Sequence, residues 1–340
     1  MNGDRWATVV GFAGAMLVLA VLVWVVGIDD IVDSLLDVRP AYLVGILGLA
    51  VCWLFAWGMA LRTVLAALDT PISVWMSGFV FAGAVFSNNV TPFGQAGGEP
   101  VSAYLISRAT DSEYETGLAA IASVDALHFV PSVGYALTGL VFVLAGAVKL
   151  GRNLTFAATA VAVLAVGLPT AAYLGWRFRY ELEAAVVRVF TPVIRALWRA
   201  LPGRSPPTAG DIERRIETFF GAIDRVATSR TTVAKAVGFS ALGWLAMCTS
   251  LWLSLFALGH TVPFSVVLLV VPMGAIAGIT PLPGGLGGVE TILGVLLVSL
   301  TGVAGGAATA AVLIHRGATY VFPTVVGGGV AFALGLGNRQ

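Results

Sequence analysis

The chain has 340 residues, 58% of them hydrophobic and only 11% charged, with a mean hydropathy of +0.92 and a net charge of +1. Soluble domains carry about 25% charged residues, so this composition excludes an ordinary water-soluble domain and points to an all-α polytopic membrane protein. The two cysteines, Cys52 and Cys248, both lie in apolar runs, which argues for small buried hydrophobes over a disulfide framework or a metal site.

Trp6 to Val26 is one apolar run, long enough to cross a bilayer and too long for the apolar part of a cleavable signal. It is followed by Ile28, Ile31, Val32, Leu35 and Leu36 at helical spacing, with Asp29, Asp33 and Asp37 on the other side. That pattern predicts a short interfacial helix, and its acidity places it outside. A second span is expected over Tyr42–Leu61 and a third over Ile72–Val90. Val101–Ile106 leads on to Arg108. Thr116–Val148 is too long for one straight crossing, and Pro131 predicts a kink or break within it. Phe156–Trp176 reads as a further crossing.

From Arg177 to Lys235 the composition turns basic, with eleven Lys/Arg against six Asp/Glu, so this stretch is expected to be the cytoplasmic loop. The N-terminus falls on the same side. Within the loop, Ile212, Ile216, Phe219, Phe220 and Ile223 recur at helical spacing, predicting a helix on the inner leaflet. Its arginines are explained by orientation, or more sharply by anionic lipid headgroups. Val237–Leu258 and Phe264–Ile279 are further spans, Val289–Leu300 and Ala307–Phe322 shorter helices, and Pro323 precedes a Gly-rich terminal segment. In all, about eight transmembrane helices are expected, with broken or re-entrant half-helices.

The third span runs into Thr91-Pro92-Phe93-Gly94-Gln95-Ala96-Gly97-Gly98-Glu99-Pro100, and Phe264–Ile279 runs into Thr280-Pro281-Leu282-Pro283-Gly284-Gly285-Leu286-Gly287-Gly288-Val289-Glu290. Pro92, Gly94, Gly97 and Glu99 recur in one register as Pro283, Gly285, Gly288 and Glu290. Such runs cannot stay helical, because proline removes donors and each glycine costs about 1 kcal/mol relative to alanine. Unwound backbone at membrane depth is tolerated only against protein or a wet cavity. Two such breaks suggest two inverted repeats, about 1–152 and 153–340, within a single membrane domain. The same breaks also read as tight turns joining spans. The helix restarts near each glutamate, where the dipole favours a carboxylate and the free N–H groups suit a phosphate.

The substrate-site candidates are Thr91, Pro92, Gly94, Gln95, Gly97, Gly98 and Glu99, then Pro281, Pro283, Gly284, Gly285, Gly287, Gly288 and Glu290, with Arg316 and Tyr320. Arg316 is the only basic residue between Lys235 and Arg339, so it needs a partner, either Glu290 or Glu99, or awaits a phosphate. Asp125 and His128 share a helical face and could pair, coordinate or relay a proton, or serve as a structural hydrogen-bonded pair. His260 falls in a short outer loop.

At Thr91–Glu99, at Pro281–Gly287 with Glu290, and at Arg316 spaced to Tyr320 and Pro323, the chain resembles the flippase-like family that includes the lysylphosphatidylglycerol synthase transmembrane region and the YbhN-like, UPF0104-type membrane proteins. The resemblance covers essentially the whole chain. It implies movement of lipid or lipid-linked substrate between the leaflets of the cell membrane. No soluble aminoacyltransferase domain follows, so lysyl transfer to lipid is not expected. The chain departs from relatives that carry an acidic-Arg pair in the fourth span, since Asp125 is followed here by Ala126.

The leading expectation is thus a transporter and not an enzyme. An anionic or lipid-linked-glycan headgroup would sit in a central cavity between the two breaks. The alternatives are a glycosyl- or aminoacyl-transfer enzyme, for which Asp29-Asp30 offers a nominal acidic motif, or a subunit guiding a separate transferase. No nucleophile elbow, HExxH, CxxC pair or P-loop is present. No cofactor, metal or nucleic-acid partner is expected. Gly305-Gly306 and the Gly-rich tail could pack helices within one protomer or between two copies.

Overall fold

A computed structural model describes residues 38, 40–91, 94–146, 152–199, 208–278 and 282–336. The expected first span, the interfacial helix at 27–37, and Pro92 and Pro281 lie outside the described residues. Every regular element among the described residues is helical. Five helices are long and apolar enough to cross a membrane, within Pro40–Ala67, Tyr114–Ala145, Arg230–Ala257, Pro283–Thr301 and Gly305–Leu334. The expectation of an all-α polytopic membrane protein holds.

Helix α1 (Pro40–Ala67) packs along α8 (Arg230–Ala257), and this pair forms the spine of the molecule. The apolar residues of α1 point in all directions, as in a helix surrounded by protein and lipid rather than water. Trp53, Leu61, Val64 and Leu65 are buried, whereas Val44 is exposed. Cys248 on α8 is buried as expected. Cys52 is not, because its position turns outward from the α1–α8 seam.

Two short helices lead to the breaks. Helix α2 (Val74–Val90) begins at Ser73, whose side chain accepts the Met76 N–H, and α9 (Phe264–Ala277) begins after Pro263. At about 1.5 Å per residue, neither reaches across a hydrocarbon layer of about 30 Å. After each break the chain doubles back. Helix α3 (Gln95–Thr110) lies against α2, so closely that a Cβ on Gly98 would overlap the Asn88 backbone. Helix α10 (Gly288–Thr301) lies against α9, with the Leu293 side chain filling the space beside Gly274. Both broken motifs are therefore tips of helical hairpins.

Each hairpin is flanked by a further helix. Helix α4 (Tyr114–Gly146) packs on α9, and α12 (Phe322–Ala331) packs on α2. Glycine permits both approaches, since a Cβ on Gly139 would meet the Leu269 N and Ser265 O of α9, and one on Gly327 would meet the Ala82 carbonyl of α2.

Prolines interrupt neither of two helices where a break is open from sequence. Helix α4 runs for 33 residues through Pro131 without a break. A proline deletes one N–H bond and crowds one carbonyl, and the contacts of α4 with α3, α8 and α9 hold the helix on either side. Pro323 likewise ends nothing. Helix α11 (Gly305–Arg316) passes through a π-helical turn at Gly317–Val321 into α12 and a further π turn at Phe332–Leu336, so the Gly-rich segment is helical. Pro323 sits in the first turn of α12 just after the wide turn, where its missing donor is tolerated.

After α4 come α5 (Arg152–Arg177), a helix over the stretch where the Phe156–Trp176 crossing is expected, α6 (Arg179–Arg199) and α7 (Ala209–Thr228). Helix α7 starts with a capping box between Thr208 and Asp211. Its apolar face does not simply lie on a lipid surface. Ile212, Ala222 and Val226 are buried, and Phe219 and Ile223 pack into the core beside α4. Arg215 pairs with Glu115 at 2.9 Å and Arg225 with Asp69 at 3.2 Å, tying α7 to the start of α4 and to the α1–α2 turn.

Candidate functional site

The two hairpin tips meet. A Cβ on Gly94 would lie 3.2 Å from the Gly278 carbonyl, and one on Gly284 would lie 3.0 Å from Asn89 Oδ1. The glycines are required by backbone conformation as well as by space. Gly94 has φ +54°, Gly284 +57° and Gly287 +82°, values that cost little only without a Cβ.

Glu290, the third residue of α10, does two things. One carboxylate oxygen accepts the Gly287 N–H at 2.6 Å, closing the helix start on itself, and the other accepts Arg316 Nε at 2.6 Å. Arg316 also donates through Nη2 to the Gly284 carbonyl at 3.1 Å, and its Cζ lies 4.6 Å over the Tyr320 ring. The Glu290 side chain is 2% exposed and that of Arg316 15%, so this is a buried ion pair. Of the two partners open to Arg316 from sequence, the structure selects Glu290.

Tyr320 carries the network into the other hairpin. Its hydroxyl donates to the Asn89 carbonyl at 3.1 Å, while Asn89 Nδ2 donates to Thr324 Oγ1 at 2.8 Å. The two breaks are thus joined through α11, the π turn and α12. Thr91 closes the end of α2, donating through Oγ1 to the Ser87 carbonyl at 2.7 Å.

Glu99 is not the structural counterpart of Glu290. It is the fifth residue of α3, two residues deeper than the capping position that Glu290 holds, because α3 starts at Gln95, whereas α10 starts only two residues before its glutamate. It is half-buried and has no hydrogen-bond or ion-pair partner among the described residues. Gly97 and Gly98 occupy the first turn of α3, and Gly288 opens α10. Pro283 and Gly285 are buried in the turn between α9 and α10.

Beside the tips lies a cavity of about 280 Å³, bounded by α1, α2, α4, α8, α9, α10, α11, the π turn after it and both breaks. Of the expected residues, Gly94, Gly284, Asp125, His128 and Arg316 line it, whereas Glu99, Glu290 and Tyr320 do not. Asp125 and His128 do not form the expected pair. His128 is stacked on Trp57, with ring centroids 4.0 Å apart, and its Nδ1 meets Ser240 Oγ at 2.6 Å on α8. These contacts hold the imidazole without Asp125, and neither Asp125 Oδ2 nor His128 Nε2 has a hydrogen-bond partner. His315 is bound in the same manner, Nδ1 to Ser250 Oγ at 3.0 Å, also on α8.

Trp53, Trp57, Asn88, Asn89 and Trp244 belong to the cavity wall and were not singled out from sequence. Two consecutive amides, Asn88-Asn89, at the end of an apolar span were a readable signal; the tryptophans were not, since an apolar span uses them equally at a lipid face. Trp57 reaches its place because Gly243 of α8 leaves room for the indole, whose Nε1 donates to the Ser240 carbonyl at 3.1 Å.

Membrane proteins similar to this chain match it along nearly its whole length. A UPF0104 membrane protein of Methanothermobacter thermautotrophicus is 24% identical over 331 residues, covering 95% of this chain and 92% of its own. Another from Pyrococcus horikoshii is 26% identical, covering 93% of each. A second protein of that name from Methanothermobacter thermautotrophicus is 23% identical over 88% of each chain. The family model described as the lysylphosphatidylglycerol synthase TM region matches residues 9–327, and the chain belongs to that family.

Proposed function

We propose that the protein moves a lipid or lipid-linked substrate between bilayer leaflets, with a phosphate-bearing headgroup seated in the cavity beside the hairpin tips. The observation that carries this reading is Arg316, a guanidinium on the cavity wall, paired with a buried glutamate where two unwound helix tips meet. Ionisable groups in membrane spans are costly and mark substrate or ion pathways. The descriptive name of the family, a lipid synthase membrane region, supports a lipid substrate.

Glu290 neutralises Arg316 when no headgroup is present and caps α10 at the same time. A phosphate competes with Glu290 for the guanidinium, whose five N–H donors include three not used by Glu290 and Gly284. Glu290 keeps its bond to Gly287 during that exchange, so the helix start stays intact. In this reading the protein is a transporter rather than an enzyme of headgroup transfer, and it sits in the cell membrane with 177–235 on the cytoplasmic side.

The test is leaflet exchange of fluorescent phosphatidylglycerol, phosphatidylcholine and a lipid-linked sugar phosphate in proteoliposomes, for wild type, Arg316→Ala, Arg316→Lys and Glu290→Gln. Arg316→Ala is expected to abolish exchange of phosphate-bearing probes, and Arg316→Lys to restore part of it. Equal exchange by wild type and Arg316→Ala would refute the role of the guanidinium, and headgroup transfer by the purified protein would establish an enzyme instead.

A further inference from the structure

The cavity that has Arg316 in its lining also reaches the outer face of the helix bundle. On α4, the buried residues Ile121, His128, Ser132 and Ala136 line it, whereas Val130 and Val141, 58% and 62% exposed, belong to the outward stripe. Phe129 and Val133, one turn apart, fall between the two stripes. Both line the cavity, and Phe129 is 41% exposed and Val133 partly so. On α9, which packs on α4, Ala275 lines the cavity and is exposed as well. Of the described residues in the lining, Phe129 and Ala275 are the exposed ones.

The depth of this edge says what it opens to. Phe129 stands near the midpoint of α4, a helix of 33 residues that is long and apolar enough to cross a membrane. The outward residues around it are apolar, as the hydrocarbon interior requires. A charged solute would have to traverse that hydrocarbon to enter here. A chain already in the bilayer meets no change of solvent, whereas drawing it into water costs free energy at each methylene. The lining suits a chain too. Val133, Ala136, Val271, Met273 and Ile276, close in sequence to Phe129 and Ala275, offer hydrocarbon and one thioether. The hydroxyl among them, Ser132 Oγ, already donates to the Phe129 carbonyl at 2.9 Å.

We infer that the edge at Phe129 and Ala275 is a lateral portal to the bilayer, and that α4 and α9 inside it form a subsite for the hydrocarbon chain of the substrate. The chain stays in or beside the membrane while the phosphate is held at Arg316. The ligand is thus an amphiphile, a phosphate borne on a long chain, and not a water-soluble phosphate ester. The inference rests on the reading of the cavity as a lipid-headgroup site and adds the part that holds the tail.

The experiment is photolabelling of the full chain in phosphatidylcholine nanodiscs with phosphatidic acid that carries a diazirine midway along one acyl chain. The modified residues are identified by tandem mass spectrometry. Label is expected on outward residues such as Val130 and Val141, from surrounding lipid, and also on Ala136 and Met273, which line the cavity and are 4% and 5% exposed. Excess unlabelled phosphatidic acid should remove the inner label and leave the outward label. Glycerol 3-phosphate, the same phosphate without chains, should remove neither. Val133→Trp, a bulkier side chain at the edge, should lower the inner label. Arg316→Ala should lower it about tenfold, the worth of one hydrogen bond to a charged group. Wild-type label confined to outward residues would overturn the inference, as would displacement by glycerol 3-phosphate or an inner label unchanged in folded Val133→Trp. The wild-type pattern decides even if a variant fails to fold. Inner label unaffected by Arg316→Ala would refute the phosphate site and keep the chain subsite; inner label without leaflet exchange would refute transport alone.

Discussion

Tyr320 Oη donates to the Asn89 carbonyl across 3.1 Å, and that bond joins the helix leading into the first break to the π turn that follows Arg316. The same ring covers the Arg316 guanidinium. Tyr320→Phe should keep the ring and lose only the bond. Since it leaves a buried carbonyl unpaired at the end of α2, a loss of about 1–2 kcal/mol is expected. Thermal unfolding of the purified protein in detergent measures it, and an unchanged midpoint would show that the bond contributes nothing to joining the hairpins.

The Glu290–Arg316 pair should behave as a unit. Removing one partner of a buried pair costs about 3–5 kcal/mol, because a charge is left uncompensated. Arg316→Met and Glu290→Gln should each destabilise strongly, and the double variant should cost less than the two together. Additive losses in a double-mutant cycle would show the pair to be uncoupled.

Glycines in α10 and its break should respond in opposite directions to alanine. At Gly284, a Cβ meets the Tyr320 ring and Asn89 on a backbone with positive φ, so Gly284→Ala should destabilise by more than about 1 kcal/mol. At Gly294, on regular helix with open space around it, Gly294→Ala should stabilise by up to about 1 kcal/mol. Melting temperatures of the two variants, shifted in opposite senses, check this.

Acid should loosen the start of α7, which lies outside the spans. Hydrogen bonds from Thr208, reinforced by Arg214, hold the Asp211 carboxyl below its ordinary value. A lowered folded-state value means that the contribution is present above the unfolded value, near about 4, and is lost as pH falls through the lower folded one. Amide-exchange protection of residues 209–213, corrected for intrinsic rates, should therefore drop in acid for wild type. In Asp211→Asn it should already be lower at neutral pH and vary less.

The helices were legible because their signal is composition and length. Hydropathy set α2 and α9 to within two residues at each end, it found α1 and α8 but cut short the C-terminal end of α1 and the N-terminal end of α8, and the proline-glycine runs marked both hairpin tips. What misled was treating proline as decisive. Pro131 and Pro323 sit inside helices because neighbouring elements and a π turn absorb one missing donor, which is tertiary information. At the site, the Arg316–Glu290 pair could be argued from the scarcity of charge. The separation of Asp125 from His128 could not, since it depends on Trp57 and Ser240, residues distant in sequence that hold the imidazole. Matching Glu99 to Glu290 by sequence register was similarly too simple, as the helices restart at different distances from the two glutamates.

The touching hairpin tips act as two levers resting on a common stop. With Gly94 against the Gly278 carbonyl and Gly284 against Asn89, neither tip has slack to advance toward the other. Moving the tips apart must break the Tyr320 tie or carry both hairpins together. The contact between the tips resides in four residues too small or too polar to be noticed as machinery.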